Sequence, residues 1–448
     1  MSEYDVLVCG GGVSGCCAAL ASARNGARTL LVEETSQLGG AITQNLVYPM
    51  MTFHSSPLEQ VIKGIPEELI GKLVKHNGSV GHISDPLGCA ATMTPVDTFS
   101  FKKCITEELK TAKVDIVFNS RVIALQKDGV KLKGATIDNG INKKELKVKT
   151  IIDATGDADI AVLAGVPFIL GREADHKTQP LTLIFQMEGI ESAAVREYIR
   201  HNPDEFVLSN EARKNLYNIP LLAVSGFFSK VKEAQKKEGI ILFRDRVLYF
   251  DLMQKGEIAV NMTRVSGFDP CSADELLHAK AEGEKQVREC VYFMQNYLPG
   301  FTNARLLRMA PKIGIRESRH IIGHATLTRQ DVLTGSKYED GIACGAFPID
   351  IHSPDGAELQ MQKMAPGTSY NIPYRCLLPQ EVKSLLVTGR AISATHEASA
   401  SARLSPTCLA LGQAAGTAAA LAAKINIDVS ALDPELLRKT LAEQGAVV

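Results

Sequence analysis

The chain has 448 residues and a formal net charge of -1 at pH 7, and 45% of its residues are hydrophobic. This length favours two domains over one core, and the balanced charge argues against nucleic acid or an anionic membrane as a partner. None of the ten cysteines forms a CxxC pair, so neither a zinc site nor an iron–sulfur cluster is expected, and no metal ligand is predicted.

Two features predict a cytoplasmic protein. The opening residues, MSEYD, are acidic, and the amino terminus lacks the basic segment and small-residue cleavage site of a signal peptide. The uncharged run from Leu404 to Ala423 is long enough to span a bilayer, but it is mostly Ala, Gly and Ser, which predicts a buried helix instead.

The first predicted elements are a strand, a glycine turn and a helix within DVLVCGGGVSGCCAAL, residues 5 to 20. Gly10 permits a tight turn, Gly12 leaves room for a pyrophosphate, and Gly15 lets the helix pack on the strand. Val13 and Ser14 open the helix, whose free amides and positive dipole end favour phosphate. This segment predicts a dinucleotide site.

A second strand, ARTLLVEE, ends in Glu33 and Glu34. An acid at this distance from the glycine turn is expected to bind an adenosine ribose and to repel a 2′-phosphate, which argues against NADP. The loop SQLGGAIT follows, where Gly39 and Gly40, with Thr43 behind them, let the chain lie close to a ligand. An NAD dehydrogenase has no need of such a loop here, so FAD is favoured.

Further along, residues 114–140 predict a meander of short strands with turns at Asp128-Gly129 and Asn139-Gly140. Residues 148–154 predict a further strand, followed by a Thr155-Gly156 turn and a helix that Asp157 caps. Near the carboxyl end, a buried strand precedes Gly389, and Pro406 opens a helix in which Gly412 and Gly416 permit close packing.

Together these segments resemble the glutathione-reductase-like two-dinucleotide-binding-domain flavoproteins. Within them they are most similar to the FAD-dependent oxidoreductases, relatives of the fumarate reductase and succinate dehydrogenase flavoprotein subunits. The likeness covers roughly residues 1–55, 85–190 and 305–425, including ATHEASASARLSPTCLALGQAAG. It implies an α/β fold: a Rossmann-like FAD-binding domain of parallel sheet plus β-meander, with an inserted α+β substrate or cap domain.

The resemblance also implies which further residues contact FAD. The backbone of Val122 would contact adenine, and the carboxyl-terminal helix would point its amino end at the flavin pyrimidine ring. The other implied contacts are Thr155, Gly156, Gly389, Arg390, Pro406, Thr407 and Cys408.

We expect the FAD-binding domain to be discontinuous, with a first part at residues 1–168 and a returning part with the carboxyl-terminal helices at 305–448. Residues 169–304 form the predicted cap, with antiparallel strands in PLTLIFQMEGI and VLYFDLMQKGEIAVNMTRVSGF and two amphipathic helices. Residues 56–84 receive no assignment.

Absent features narrow the function. The chain has no second GxGxxG for a nicotinamide cofactor, and it has no Trp, which excludes the Trp-containing motif of flavin halogenases. The spacing around His54 does not favour covalent attachment of the flavin. The electron donor or acceptor therefore stays unknown.

Five side chains are candidates for catalysis, each with a structural alternative. Arg316 could hold a carboxylate in a bidentate way, or pair with Glu317 or the FAD phosphates. His352 could be an acid or base, or bond only to backbone. Tyr374 could donate to a developing oxyanion, or be packed in the core.

The remaining two candidates, His396 and Arg403, are the preferred pair. They lie between the strand before Gly389 and the flavin-facing helix. We expect His396 to transfer a proton and Arg403 to hold an anionic substrate group or the flavin O2.

The sequence thus predicts an FAD-dependent oxidoreductase that transfers a hydride between flavin N5 and a small polar or carboxylated organic substrate. Two alternatives stay open: a thiazole-synthase-like protein that holds NAD, and a flavin-binding subunit of a larger complex. Neither nucleic acid nor a membrane is expected as a partner, and a homo-oligomer is left open.

Overall fold

The computed structural model describes residues 2–356 and 359–448. The first part contains, in chain order, β1 (Ser2–Cys9), α1 (Val13–Arg24), β2 (Thr29–Val32), β3 (Met50–Met51), β4 (His54–Ser56), β5 (Glu59–Gln60), α2 (Ile65–Lys75), β6 (Ile83–Ser84), β7 (Thr92–Thr94), α3 (Thr98–Thr111), β8 (Asp115–Val117), β9 (Arg121–Asp128), β10 (Lys131–Asp138), β11 (Lys143–Asp153), α4 (Asp159–Leu163) and β12 (Phe168–Leu170). The segment that the sequence left unassigned holds α2 and the small strands around it.

The main sheet has the order β8-β2-β1-β11-β10-β9. Strands β8, β2, β1 and β11 are parallel, and β9, β10 and β11 form the antiparallel meander. The turns at Gly129 and Gly140 have positive φ, 60° and 81°, as the predicted turn dipeptides require. The α/β fold class with a parallel sheet and a β-meander is confirmed.

Strand β11 is longer than the strand predicted at 148–154 and connects the parallel sheet to the meander. It pairs with β1 from Leu146 to Asp153. On its other side the first half pairs with β10 and the second half with a returning strand, Leu385–Val387. The strand predicted at 148–154 therefore begins earlier, at Lys143, and is also the third strand of the meander.

The insert has its own antiparallel sheet and its own core. Its elements are β13 (Phe185–Glu188), α5 (Ser192–His201), α6 (Asn210–Lys214), β14 (Ala223–Gly226), α7 (Phe228–Glu238), β15 (Val247–Asp251), β16 (Ile258–Val260), α8 (Ala273–Tyr297) and β17 (Arg305–Met309). The sheet order is β14-β15-β16-β13-β17. Because β17 pairs with β13, the insert extends past the boundary predicted at residue 304.

The returning part completes the first domain. It contains β18 (Arg319–Ile321), α9 (Arg329–Thr334), β19 (Gly341–Gly345), β20 (Ile349–His352), β21 (Leu359–Gln362), β22 (Tyr370–Pro373), β23 (Leu385–Val387), α10 (His396–Ala402), α11 (Ser405–Ile425) and α12 (Pro434–Glu443). Short 3₁₀ helices occupy Pro203–Glu205, Tyr374–Leu377, Gly389–Ala391 and Val429–Ala431. Strand β18 pairs with β12 at the junction to the insert.

Helix α11 packs directly on α1. A Cβ at Gly412 or Gly416 would lie 2.1 or 2.0 Å from the carbonyl oxygen of Ser14 or Ala18, so glycine is required for this approach. Among the described residues α11 is the one helix long and apolar enough to cross a membrane, and 78% of its most apolar window is buried inside the protein. This burial is the behaviour of a core helix.

Candidate active site

The glycine loop between β1 and α1 is shaped by different constraints at its three glycines. Gly10 has φ of 100°, and a Cβ there would lie 2.5 Å from the Ala154 carbonyl oxygen. A Cβ on Gly15 would lie 1.8 Å from the carbonyl oxygen of Gly10. A Cβ on Gly12 would meet no protein atom within 4 Å, so this position faces open space. A phosphate could approach the backbone there and the amino end of α1.

Glu33 is buried behind this loop. Its Oε2 accepts from the Gly11 amide at 2.6 Å, and its Oε1 accepts from the amide and hydroxyl of Thr35 at 2.9 and 2.6 Å. A carboxylate offers about four acceptor positions, so one position on Oε2 is left for a ribose hydroxyl. The role predicted for Glu33 stays a prediction, and the structure adds a second role in fixing the loop.

A cavity of about 1430 Å³ runs from the glycine loop to the insert. Pockets for drug-sized ligands measure roughly 300–1,000 Å³, so this one has room for a dinucleotide and a second molecule. The predicted cofactor residues that line it are Gly10, Gly12, Val13, Ser14, Glu33, Glu34, Gly40, Val122, Thr155, Gly156, Gly389, Arg390 and Cys408. Three predicted catalytic residues also line it: Arg316, His352 and Arg403.

The other predicted cofactor residues do not line the cavity but pack against the residues that do. Gly15 lets α1 pack, as described above. The Thr43 hydroxyl donates to the Leu38 carbonyl at 2.7 Å, and a Cβ on Gly39 would lie 2.5 Å from the Thr43 methyl group. Pro406 and Thr407 lie buried in the first turn of α11.

Four arginines converge at the insert end of the cavity. They are Arg244 just before β15, Arg264 after β16, Arg316 before β18, and Arg403 between α10 and α11. Arg264 and Arg316 are buried, with exposed fractions of 8% and 7%. Burial, followed by the positive charge of Arg264, lowers the pKa of Arg244 to about 10. The pKa of Arg316 is also lowered, first by burial and then by the positive charges of Arg244 and Arg403.

The carboxylate of Asp350 on β20 lies among these arginines, and Asp245, which pairs with Arg246 at 2.8 Å, lines the same cavity. Burial alone would raise the pKa of Asp350, but His352, Arg403 and Arg316 outweigh burial and hold the pKa below its usual value. His352 Nε2 lies 3.4 Å from Asp350, and its Nδ1 lies 3.5 Å from a nitrogen of Arg244. Burial and then the charge of Arg316 lower the pKa of His352 to about 3, so this imidazole is neutral at neutral pH.

His396 does not line the cavity. Its Nδ1 lies 2.8 Å from Glu317 Oε1, which also lies 3.3 Å from His320 Nε2. Burial would raise the pKa of Glu317, but the hydrogen bonds from both histidines lower it to about 2. Glu317 Oε2 accepts from the Gln179 amide at 3.0 Å. The Gln179 side-chain oxygen in turn lies 3.4 Å from Arg403. This buried network connects His396 to the cavity wall.

An apolar wall lines part of the same cavity. We use this name for Met51, Leu87, Leu248, Phe250 and Phe347, all of which line the cavity. Strand β15 carries two of them directly after Arg244, so the charged and apolar surfaces adjoin. The site can therefore accept both an anionic group and an apolar group.

Comparison with protein-family models shows to which family of dinucleotide-binding proteins the chain belongs. The family model described as FAD dependent oxidoreductase matches residues 5–441, nearly the whole chain.

The chain belongs to the FAD-dependent oxidoreductase family.

Curated relatives of this flavoenzyme match over shorter stretches. A digeranylgeranylglycerophospholipid reductase from Methanococcus aeolicus is 30% identical over 168 residues, which is 37% of this chain and 41% of the relative. The protein of the same name from Methanocaldococcus jannaschii is 28% identical, over 48% of this chain and 51% of the relative. The chain thus spans about half or less of the length of these relatives.

One solved structure is similar to the flavoenzyme over most of its length, at low sequence identity. It is a geranylgeranyl bacteriochlorophyll reductase-like protein from Thermoplasma acidophilum, 15% identical, with a TM-score of 0.47. The similarity covers 99% of this chain and 84% of that one.

FAD is the cofactor, and the lining of the cavity fits it. The open space at Gly12 suits a pyrophosphate, and the amino end of α11, which has no acidic residue in its first turn, borders the other end of the cavity. Arg390 and Arg403 each have a buried Nε without a hydrogen-bond partner among the described residues. Such donors are expected beside a ligand that carries phosphate or carbonyl oxygens.

Two predictions about the flavoenzyme require correction. Tyr374 does not reach the cavity, because its buried hydroxyl donates to the Val429 carbonyl at 2.9 Å. Asp157 does not cap α4: its carboxylate pairs with Arg390 at 2.6 Å, and Ala158 holds the N-cap position in a left-handed conformation. The Thr155 hydroxyl instead accepts from the Asp159 amide at 3.0 Å.

Sequence reasoning missed Arg244, Arg264 and Gln179 and gave Asp350 no charge-balancing role. One available signal was the segment FRDRVLYF, in which Arg244 and Arg246 directly precede a buried strand. Charged residues at a strand end that faces a cofactor domain are candidates for ligand binding. Gln179 offered no comparable local pattern.

Proposed function

We propose that the flavoenzyme exchanges a hydride with a small organic substrate that carries a carboxylate or another anionic group. The bound FAD supplies the redox centre, since flavins accept and give hydride at N5. The observation that carries this proposal is the convergence of four arginines near Asp350 at the insert end of the cavity. Guanidinium groups bind carboxylates with bidentate geometry.

Arg403 is the residue that we assign to the substrate or the flavin carbonyl, because it lines the cavity and has a buried, unpartnered Nε among the described residues. Arg316 has a second role, since it donates to the Pro180 carbonyl at 2.5 Å and so anchors the insert as well. His396 acts on the site through Glu317 and Gln179, which makes it a positioning residue in this proposal.

The apolar wall favours a second candidate function, reduction of an apolar substrate. The two curated relatives are named as reductases of a digeranylgeranyl lipid. A long apolar chain would lie on the side chains of Phe250 and Phe347. Of the remaining alternatives, the family match favours FAD over a protein that holds NAD, and a flavin-binding subunit of a larger complex stays a prediction.

The test is an anaerobic screen in which bleaching of the oxidised flavin reports electron transfer. One panel contains small carboxylic and hydroxy acids, and the other contains isoprenoid alcohols and lipids, with the dithionite-reduced enzyme used for the reverse direction. We expect a member of the acid panel to react.

Variants then assign the residues. Arg403→Ala and His396→Ala are expected to retain bound flavin but to lose its reaction with substrate. Reaction with apolar compounds alone would contradict the main proposal, and normal turnover in both variants would contradict the residue assignment.

A further inference from the structure

Asp350 lines the insert end of the cavity together with four arginines, Arg244, Arg264, Arg316 and Arg403, which we call the arginine cluster. Its side chain is 18% exposed. Within the described residues its ion-pair partner is His352, and neither an arginine nor a lysine pairs with it. Its Oδ1 atom is buried and has no hydrogen-bond partner in the same part of the chain. Asp350 therefore keeps acceptor capacity for a ligand.

Three other carboxylates of the cavity wall are paired with arginine inside the chain. They are Asp157 with Arg390 at 2.6 Å, Asp159 with Arg319 at 2.9 Å, and Asp245 with Arg246 at 2.8 Å. Asp350 differs from these three, because its own partner is a histidine at 3.4 Å.

The charge states of Asp350 and His352 restrict which ligand can bind beside them. The pKa of Asp350 lies below its ordinary value and that of His352 near 3, so at neutral pH the carboxyl is ionised and the imidazole is neutral. An ionised carboxylate repels the anionic group that the arginines attract. The repulsion is offset when the same ligand places a hydrogen-bond donor against Asp350.

His352 also sets the spacing of these groups. Its Nε2 lies 3.4 Å from Asp350, and its Nδ1 lies 3.5 Å from a nitrogen of Arg244. The carboxylate and the guanidinium are therefore separated by one imidazole ring. A small ligand that contacts both of them carries its donor and its anionic group on neighbouring carbons.

We propose that Asp350 determines specificity: the substrate is a carboxylate with a hydroxyl or ammonium group on the carbon next to it. Arg244 and Arg403 would hold the carboxylate, and Asp350 would accept from the hydroxyl or ammonium group. The inference rests on the proposed function and narrows its substrate class to 2-hydroxy or 2-amino acids, which share a hydrogen-bond donor on C2.

Binding to the oxidised, FAD-loaded enzyme tests the proposal without turnover. Three probes of the same shape are used: 2-hydroxyisobutyrate, 2-aminoisobutyrate and pivalate, which carry a hydroxyl, an ammonium and a methyl group at the same position. None has a hydrogen on C2, so none can give a hydride from that carbon. Titration calorimetry at constant ionic strength measures each dissociation constant.

We expect the hydroxyl or the ammonium probe to bind about tenfold or more tightly than pivalate, because it gains a charge-assisted hydrogen bond that a methyl group cannot form. Preference for the hydroxyl probe assigns the site to hydroxy acids, and preference for the ammonium probe assigns it to amino acids. Pivalate binding as tightly as both other probes, or no measurable binding of any probe, would overturn the proposal.

Variants identify the residue responsible. Asp350→Asn is expected to reduce the preference over pivalate to about threefold or less while FAD stays bound. The matched control is Asp340→Asn, which changes a buried carboxylate that pairs with Arg375 at 2.9 Å away from the cavity. Loss of preference in the control to the same extent would contradict the assignment. Loss of FAD from Asp350→Asn, with no preference in the wild type, would place Asp350 against the flavin and also overturn it.

Failure of this inference is distinguishable from failure of the proposed function. If the hydroxyl or ammonium probe is preferred but no hydroxy acid or amino acid with a hydrogen on C2 reacts with the flavin, the specificity of Asp350 stands and the redox proposal fails. If a carboxylate without either group bleaches the flavin while the three probes bind equally, the redox proposal stands and the inference about Asp350 fails.

Discussion

Gly12 and Gly15 lie three residues apart, yet their surroundings predict opposite effects of one methyl group. Gly12→Ala places its Cβ in open space, so the flavin-free protein should lose well under about 1 kcal/mol while FAD binding weakens strongly. Gly15→Ala drives a Cβ into the Gly10 carbonyl and should destabilise the protein itself by about 1–3 kcal/mol.

Denaturant unfolding of the flavin-free proteins and flavin content of the purified ones would measure both effects. Normal flavin content in Gly12→Ala would contradict the placement of the pyrophosphate.

The lowered pKa of Glu317 predicts how the free energy of unfolding depends on pH. Its folded pKa is about 2, against an ordinary value of 4.5. A depressed carboxylate pKa stabilises the fold above the unfolded pKa, and this contribution is lost as pH falls through the folded pKa. Glu317→Gln leaves two buried histidines without their shared partner, and breaking such a buried pair should cost about 3 kcal/mol at neutral pH.

The difference from wild type should shrink as pH falls from 4.5 toward 2. Denaturant unfolding at a series of pH values checks this. A difference that stays constant from neutral to acid pH would show that Glu317 acts through packing and not through its charge.

At the level of single residues, the sequence predicted the dinucleotide loop well because its constraints are local. Gly10, Gly12 and Gly15 act on a turn only a few residues long. The arginine cluster could not be predicted in the same way, since its members come from four separate segments. Tyr374 and His396 were expected to reach the active site. Instead, the Tyr374 hydroxyl bonds to Val429 and the His396 ring bonds to Glu317, contacts that depend on tertiary packing.

At the scale of elements, the close contact between α1 and α11 predicts that the stability of the protein falls steeply when a side chain is added at the contact. Gly416→Ala places a Cβ 2.0 Å from the Ala18 carbonyl oxygen, so the helices must separate. We expect a loss of about 2 kcal/mol or more and weaker retention of FAD, because both helices border the cofactor cavity.

Gly71→Ala is the matched control for this helix substitution. Gly71 lies inside α2, and a Cβ there would contact nothing within 4 Å. The change should stabilise the protein by about 0.5–1 kcal/mol through helix propensity. Thermal unfolding measures both variants, and similar shifts in the two would contradict a close helix contact.

Patterns within an element were easier to interpret than pairings between elements. Amphipathic helices were predicted in the insert, and α8 is one of them, with Ser272 as its N-cap and an acidic first turn. The continuity of β11 was not predicted, because its two partners on one side are separated by the whole insert in the sequence. The insert boundary predicted at residue 304 was wrong for the same reason, because only the pairing of β17 with β13 shows that β17 belongs to the insert.

At the scale of the whole molecule, the cavity joins the FAD-binding domain to the insert and predicts coupling between cofactor and fold. FAD at a hundred times its dissociation constant should stabilise the protein by about 2.7 kcal/mol. NAD should give little or no stabilisation, because the cavity continues past the dinucleotide loop to the amino end of α11, where NAD has no tricyclic ring to place. Calorimetry of the flavin-free protein with each dinucleotide measures this, and a larger shift with NAD would favour the NAD-holding alternative.

Strand β11 also has a consequence for synthesis on the ribosome. Its second half can hydrogen-bond with β23 only after the entire insert has been translated. Until then the nascent chain exposes the backbone of Ile151 and Ile152 along an open edge, and such edges recruit strands from other chains. Rapid expression should therefore favour aggregation of incomplete chains, and production of the first 168 residues alone should yield an insoluble fragment.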